Sequence, residues 1–279
     1  MPYAQVGPIR LHYNERGTEA TTSETVVFVH GFQASARIWQ AMQELLPPSY
    51  HSIAVNNRGA GESDAPPEES AYGCKPFADD LYGLVTQLGL RRFTLVGHSM
   101  GGATALQYAV EHGETLKALV LMDPADPDGW GEGIDVEAAI ERRMAQRAEQ
   151  QRAGTVGESI VPPEATGPRR AWLEALATDI AAAPEQRLRG SLRSMATIRL
   201  GERVRALTMP ILMVGGDADR LIPLRRMLAT FAKLPEGSGL HIWHGVGHSP
   251  NVEIPEKATA VLRRFIEETV PAKLAPAGH

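Results

Sequence analysis

A single cysteine, Cys74, stands in a chain of 279 residues, so no intrachain disulfide can form and thiol usage gives an oxidising compartment no support. Cys74 has no CxxC partner and no histidine beside it, and it does not read as a reactive thiol. An excess of positive charge is also missing. With 28 Lys and Arg against 33 Asp and Glu, the net charge of -5 offers no electrostatic footprint for nucleic acid or an anionic membrane. No apolar run reaches the length of a membrane span, and the first residues, with Arg10, His12, Asn14, Glu15 and Arg16, contain no apolar core of a secretory signal. These absences predict a cytoplasmic protein whose partner is a small molecule, with neither nucleic acid nor membrane involved. What is present is ample apolar material, 43% of the chain, enough for one large α/β domain or a domain carrying an insertion.

The pattern along the chain alternates. Ile9 to Tyr13 alternates as a half-exposed strand, with a polar hairpin or loop from Gly17 to Glu24 after it. Thr25 to Val29 is a continuous β-branched and aromatic run suited to a strand covered on both faces. Helical spacing follows from Ile38 to Leu46, stopped by Pro47-Pro48. Ser52 to Val55 is the next strand, Pro76 to Leu88 the next helix, and Phe93 to Val96 and Leu116 to Met122 are further buried strands. Between about Ala125 and Arg205 strands vanish, and Val136 to Arg152, Pro168 to Ala182 and Pro184 to Thr197 read as helices. Strands and helices then resume with Pro210 to Val214, Leu224 to Leu234, Leu240 to Trp243 and a last helix from Pro255; the tail from Pro271 is expected to fray. The prediction is an α/β fold: a mostly parallel, doubly covered sheet built from 1–124 and 206–279, with a helical cap, 125–205, inserted before the last strands. Sites in such sheets lie at the carboxyl ends of the strands.

One of those strand ends carries Gly97-His98-Ser99-Met100-Gly101-Gly102. A serine hydroxyl is a weak nucleophile, so it must stand clear of the sheet, within reach of a base and beside donors for an oxyanion. A strained turn from strand to helix provides all three, and it needs glycine two positions to either side of the serine because a side chain there would collide. Gly97 and Gly101 meet that need. His248, in the loop Gly245 to Pro250, is the candidate base; Asp219, after the strand 210–214, is the candidate acid that orients it. The chain order Ser99, Asp219, His248 is nucleophile, acid, histidine. Asp123, after another strand, is the alternative acid, and Asp217 reads as a turn cap.

These motifs, together with His30-Gly31-Phe32 and Arg58-Gly59-Ala60-Gly61-Glu62-Ser63, resemble those of the α/β-hydrolase fold family over nearly the whole chain. The resemblance implies an oxyanion hole made by the backbone N–H groups of Phe32 and Met100, favours Asp219 over Asp217 by its distance from Pro223, keeps Asp123 as the runner-up because some family members carry their acid after that strand, and implies no cofactor. Asn56 departs from the aspartate frequent at its position in the family. His30, His98 and Arg58 are expected to be structural, with the His98 side chain directed away from Ser99, and His241, His244 and His248 lack a metal-ligand spacing. Trp130, Met144, Trp172 and Met195 are candidate substrate contacts in the cap. The expected function is a serine hydrolase of an ester, lactone or related acyl substrate. Carbon–carbon bond hydrolase, cofactor-free perhydrolase and ligand-binding receptor are the alternatives.

Overall fold

A computed structural model describes residues 2–17 and 24–269. The expected loop within 17–24 and the expected frayed tail lie largely or wholly outside these residues. The strands are β1 (Tyr3–Val6), β2 (Ile9–Arg16), β3 (Glu24–Val29), β4 (Tyr50–Val55), β5 (Phe93–His98), β6 (Leu116–Met122), β7 (Ile211–Gly216) and β8 (Gly239–Trp243). The helices are α1 (Gln40–Leu45), α2 (Cys74–Gln87), α3 (Met100–His112), α4 (Val136–Ala153), α5 (Gly167–Ala181), α6 (Glu185–Thr197), α7 (Glu202–Arg205), α8 (Leu224–Phe231), α9 (Pro250–Glu253) and α10 (Pro255–Thr269).

The strands form one eight-stranded sheet in the order β1-β2-β4-β3-β5-β6-β7-β8. From β4 to β8 every neighbouring pair is parallel; β1 with β2 and β2 with β4 are antiparallel. The continuous apolar runs follow from coverage on both faces, because successive residues of a strand point opposite ways. On β3, Val27 and Val29 enter a core with Leu81 and Leu84 of α2 and Leu106 of α3, whereas Val26 and Phe28 enter the core on the other face with Met42 of α1 and Leu262 and Ile266 of α10. Leu95 and Val96 of β5 divide in the same way.

Two departures from the sequence pattern have local causes. The stretch expected to be helical from Ile38 begins as a 3-10 turn, Ala36–Trp39, whose first N–H groups are met by side chains: Asn56 Oδ1 accepts from Ala36 N at 2.6 Å, and Ser35 Oγ from Arg37 N at 3.3 Å. The hairpin strand β1 was not marked by alternation, since a Pro and a Gly bracket only four residues, Tyr3–Val6.

Among the described residues, the interval 125–205 contains helices and turns but no strand. It has a small core of its own, Ile140, Met144, Leu188 and Leu192, and α5 sends Trp172, Leu173 and Leu176 into the core beneath α1. Arg187 of α6 is 2% exposed and donates to the backbone oxygens of Ala34 at 2.8 Å and Gly59 at 3.2 Å, tying this helix to two loops at the strand ends. No helix among the described residues is long and apolar enough to cross a membrane.

Candidate active site

The chain turns sharply between β5 and α3. Ser99 sits at the turn with φ 55 and ψ -119, a conformation that side chains disfavour. Its backbone is held on every side: its N–H donates to Met122 O at 2.9 Å, and its carbonyl accepts from Gly102 N and Ala125 N, each at 2.9 Å. The flanking glycines are required by close approach. A Cβ on Gly97 would stand 2.2 Å from Gly101 O, and one on Gly101 would stand 2.3 Å from Val29 O.

Ser99 and His248 border one cavity of about 910 Å³, which lies between the strand ends and the helical interval. His248 Nδ1 meets Asp219 Oδ2 at 2.6 Å, and the Asp219 side chain is fully buried. Because the carboxylate accepts, Nδ1 carries the proton and Nε2 of a neutral ring is left as an acceptor. The other Asp219 oxygen, Oδ1, accepts from the backbone N–H groups of Leu221 at 2.7 Å and Ile222 at 2.9 Å. Burial alone would raise the Asp219 pKa. The bond and charge of His248, aided by those two N–H groups, outweigh it and hold the carboxyl below its ordinary value.

The loop after β3 presses on the turn: a Cβ added to Gly31 would lie 3.0 Å from Ser99 Cβ. Phe32 lines the cavity, and its carbonyl accepts from Ala34 N at 2.8 Å. Met100 is the first residue of α3, so its N–H is one of the four at a helix start with no acceptor inside the helix.

The neighbouring histidines have structural duties. His30 accepts from Asn57 N through Nε2 at 3.2 Å and donates from Nδ1 to Gly31 O at 2.8 Å. Burial, with Arg187 nearby, brings its pKa down to about 3. The buried His98 ring lies 4.9 Å from that of His248 and donates from Nε2 to His248 O at 2.7 Å, and the residue borders the cavity. Burial lowers its pKa to about 3, so it serves this contact as a neutral donor. Asn56 bonds Ala36 N and, at 2.6 Å, His12 Nδ1, a structural use of the position. Arg58 forms a bidentate pair with Asp80 at 2.6 and 2.7 Å, and Asp217 accepts from Gly245 N at 2.7 Å in a turn that also holds His244.

Trp130 and Met195 line the cavity; Met144 and Trp172 do not. Met144 packs in the small core between α4 and α6. Trp172 is buried beneath α1, where its Nε1 donates to Arg37 O at 2.7 Å. Apolar spacing on a helix selects a buried face, and here that face meets other helices rather than the cavity. Leu221 and Ile222 also line the cavity and were not singled out in the sequence; the available signal was two adjacent apolar residues in the short loop between Asp219 and Pro223. Among the described residues no group of three or more His, Cys, Asp or Glu is placed to hold a metal ion.

A mostly parallel sheet with a serine at a strand-to-helix elbow and a His–Asp pair on the loops after β7 and β8 defines a nucleophile-elbow scaffold. The chain belongs to the α/β-hydrolase fold family, whose model matches residues 24–254. It is 28% identical to a 2-(acetamidomethylene)succinate hydrolase from Mesorhizobium japonicum, covering 94% of this chain and 93% of that one. It is also 28% identical to a non-heme chloroperoxidase from Kitasatospora aureofaciens, over 80% of this chain and 84% of the relative. Among solved structures it superposes on a thermophilic esterase from Thermogutta terrifontis with a TM-score of 0.79 at 27% identity, covering 96% of this chain and 99% of the esterase.

Proposed function

We propose that the chain is a serine hydrolase of carboxylic esters, lactones or related acyl compounds, working through an acyl-enzyme on Ser99. The observation that carries this reading is the Ser99 elbow opening on the same cavity as His248, whose Nδ1 is held by buried Asp219. Ser99 Oγ attacks the acyl carbonyl as His248 Nε2 takes its proton, and Asp219 fixes the tautomer and stabilises the imidazolium. The N–H groups of Phe32 and Met100 receive the oxyanion; losing one such donor costs about 3–4 kcal/mol of barrier in comparable sites. His248 returns the proton to the leaving alcohol, then activates water to release the acid and free Ser99.

The helical interval serves as the cap that shapes the pocket, with Trp130 and Met195 against the substrate. Names of relatives support hydrolysis, and the esterase structure supports the ester class. The chloroperoxidase relative favours one second reading, in which hydrogen peroxide intercepts the same acyl-enzyme to give a peracid.

The test is a burst of chromogenic alcohol from a short-chain aryl ester, abolished by Ser99→Ala. Wild-type protein with neither turnover nor labelling by a fluorophosphonate would overturn the enzyme reading and leave a ligand-binding role. Peroxide-dependent peracid formation from a simple carboxylic acid separates the perhydrolase branch.

A further inference from the structure

A second carboxyl lies behind the His248–Asp219 pair, and the reaction as written leaves it unused. Asp123 follows β6 directly and is fully buried. Its backbone has φ 41, a left-handed conformation that aspartate and asparagine tolerate better than most residues. Its N–H donates to Val214 O at 2.9 Å, clamping it against β7. The fold leaves room for its side chain at Gly215, where an added Cβ would stand 2.3 Å from Asp123 Oδ1.

The hydrogen-bond inventory of the two carboxyls is unequal. Asp219 receives His248 Nδ1 and the N–H groups of Leu221 and Ile222. Asp123 receives one donor, Gly216 N to Oδ1 at 3.2 Å, and among the described residues Oδ2 meets no donor although it is buried. Gly216 ties the two residues together, its N–H meeting Asp123 Oδ1 and its carbonyl accepting from Asp219 N at 3.4 Å, and the charge that acts most strongly on the Asp123 carboxyl is Asp219, an acceptor itself. Two acceptors make a bond only if one of them brings a proton. Asp219, with three donors against one, is the carboxylate whose charge is better met, so the proton belongs to Asp123.

We infer that Asp123 is a neutral carboxylic acid that donates a hydrogen bond to Asp219, a positioning residue that fixes the orientation of the carboxylate against His248. The charged groups around it agree with this: Asp219 on the loop after β7 and Glu253 of α9 are both negative, and the one cation that forms in catalysis, His248, faces Asp219. Burial first, and then the Asp219 charge, push the Asp123 pKa up to about 9. As the pH passes that value Asp123 ionises, two carboxylates face each other, and the bond to Asp219 is lost.

The inference rests on reading Asp219 as the group that orients His248, and the experiment separates the two. Asp123→Asn keeps both contacts, with the amide oxygen accepting from Gly216 N and the amide N–H donating to Asp219; Asp123→Ala keeps neither. On a chromogenic ester, Asp123→Ala is expected to lower kcat about tenfold with little change in KM. Wild type should lose kcat near and above pH 9, and Asp123→Asn should recover most of the Asp123→Ala loss and remove that alkaline fall. Equal kcat in the two variants, or an alkaline fall unchanged in Asp123→Asn, overturns the inference. So does an Asp123→Asn loss of about ten-thousandfold, which would make Asp123 the charged acid. A readout independent of substrate is infrared difference spectroscopy between wild type and Asp123→Asn at neutral pH. A protonated carboxyl band present only in wild type supports the inference even if no ester is turned over, and its absence refutes it.

Discussion

Replacing Ser99 by glycine should leave a more stable protein than replacing it by alanine, against the usual order of those residues. The backbone at 99, with φ 55 and ψ -119, lies where a Cβ is strained and glycine is not. Such strain costs about 1–3 kcal/mol. Glycine ordinarily loses about 0.5–1 kcal/mol to alanine because its unfolded chain has more freedom. The strain is the larger effect over most of these ranges, so Ser99→Gly should exceed Ser99→Ala by about 1 kcal/mol at their middle and by about 2.5 kcal/mol at most. With a urea dependence of about 3 kcal/mol per molar, the midpoint of Ser99→Gly should lie roughly 0.4 M higher, and at most roughly 0.8 M. Both variants lack the hydroxyl, so the comparison isolates the backbone. A midpoint for Ser99→Ala equal to or above that of Ser99→Gly would refute a strained elbow.

Asp219→Asn should lower kcat by about ten-thousandfold with an unchanged fold, because the amide presents N–H or oxygen to His248 without the charge that fixes its tautomer; turnover and circular dichroism together check this. Asp123 also predicts a pH dependence of stability. Its folded pKa, raised to about 9 from 3.8, means that the native state keeps a proton the unfolded chain releases, so its contribution is full below 3.8 and is lost as pH rises towards 9. Across that window Asp123→Asn should gain on wild type by up to about 1.4 kcal/mol per pH unit in urea unfolding, and parallel curves would contradict it. In the helical interval, Trp172→Phe should cost about 0.5–1.5 kcal/mol by removing the indole bond to Arg37 O, which still accepts from Gln40 N, while leaving KM in place. Trp130→Ala, on the cavity wall, should instead change KM and the preferred acyl length in a panel of esters.

The elbow was legible in sequence because its physics is local. Gly97 and Gly101 are dictated by contacts that follow from one sharp turn, and the strand before and helix after announce themselves by periodicity. The sheet was legible for a related reason, since apolar runs such as Val26 to Val29 mark strands covered on both faces. What was hidden depends on elements meeting across the fold. Asp123 and Asp219 both follow strands, and only the packing of the β8–α9 loop against the loop after β7 shows that His248 bonds Asp219. The Gly215-Gly216 pair was a local sign that something approaches closely there, without saying that it is a second carboxyl. His98 was legible as a structural neighbour of the nucleophile, but not its partner, a carbonyl 150 residues along the chain. Met144, Trp172 and Met195 all lie on apolar positions of helices and Trp130 on the turn before α4, and which of them meets the cavity is fixed by how α4, α5 and α6 dock.

The central claim, that Ser99 is the nucleophile of an acyl-transfer enzyme, is tested most directly by intact-mass spectrometry of protein quenched during turnover of a slow aryl ester, with peptide mapping of the adduct. The account predicts one acyl group per chain, on Ser99, absent in Ser99→Ala and accumulating in proportion to the burst of released alcohol. Ester turnover with no adduct, or an adduct on another residue that persists in Ser99→Ala, would contradict it.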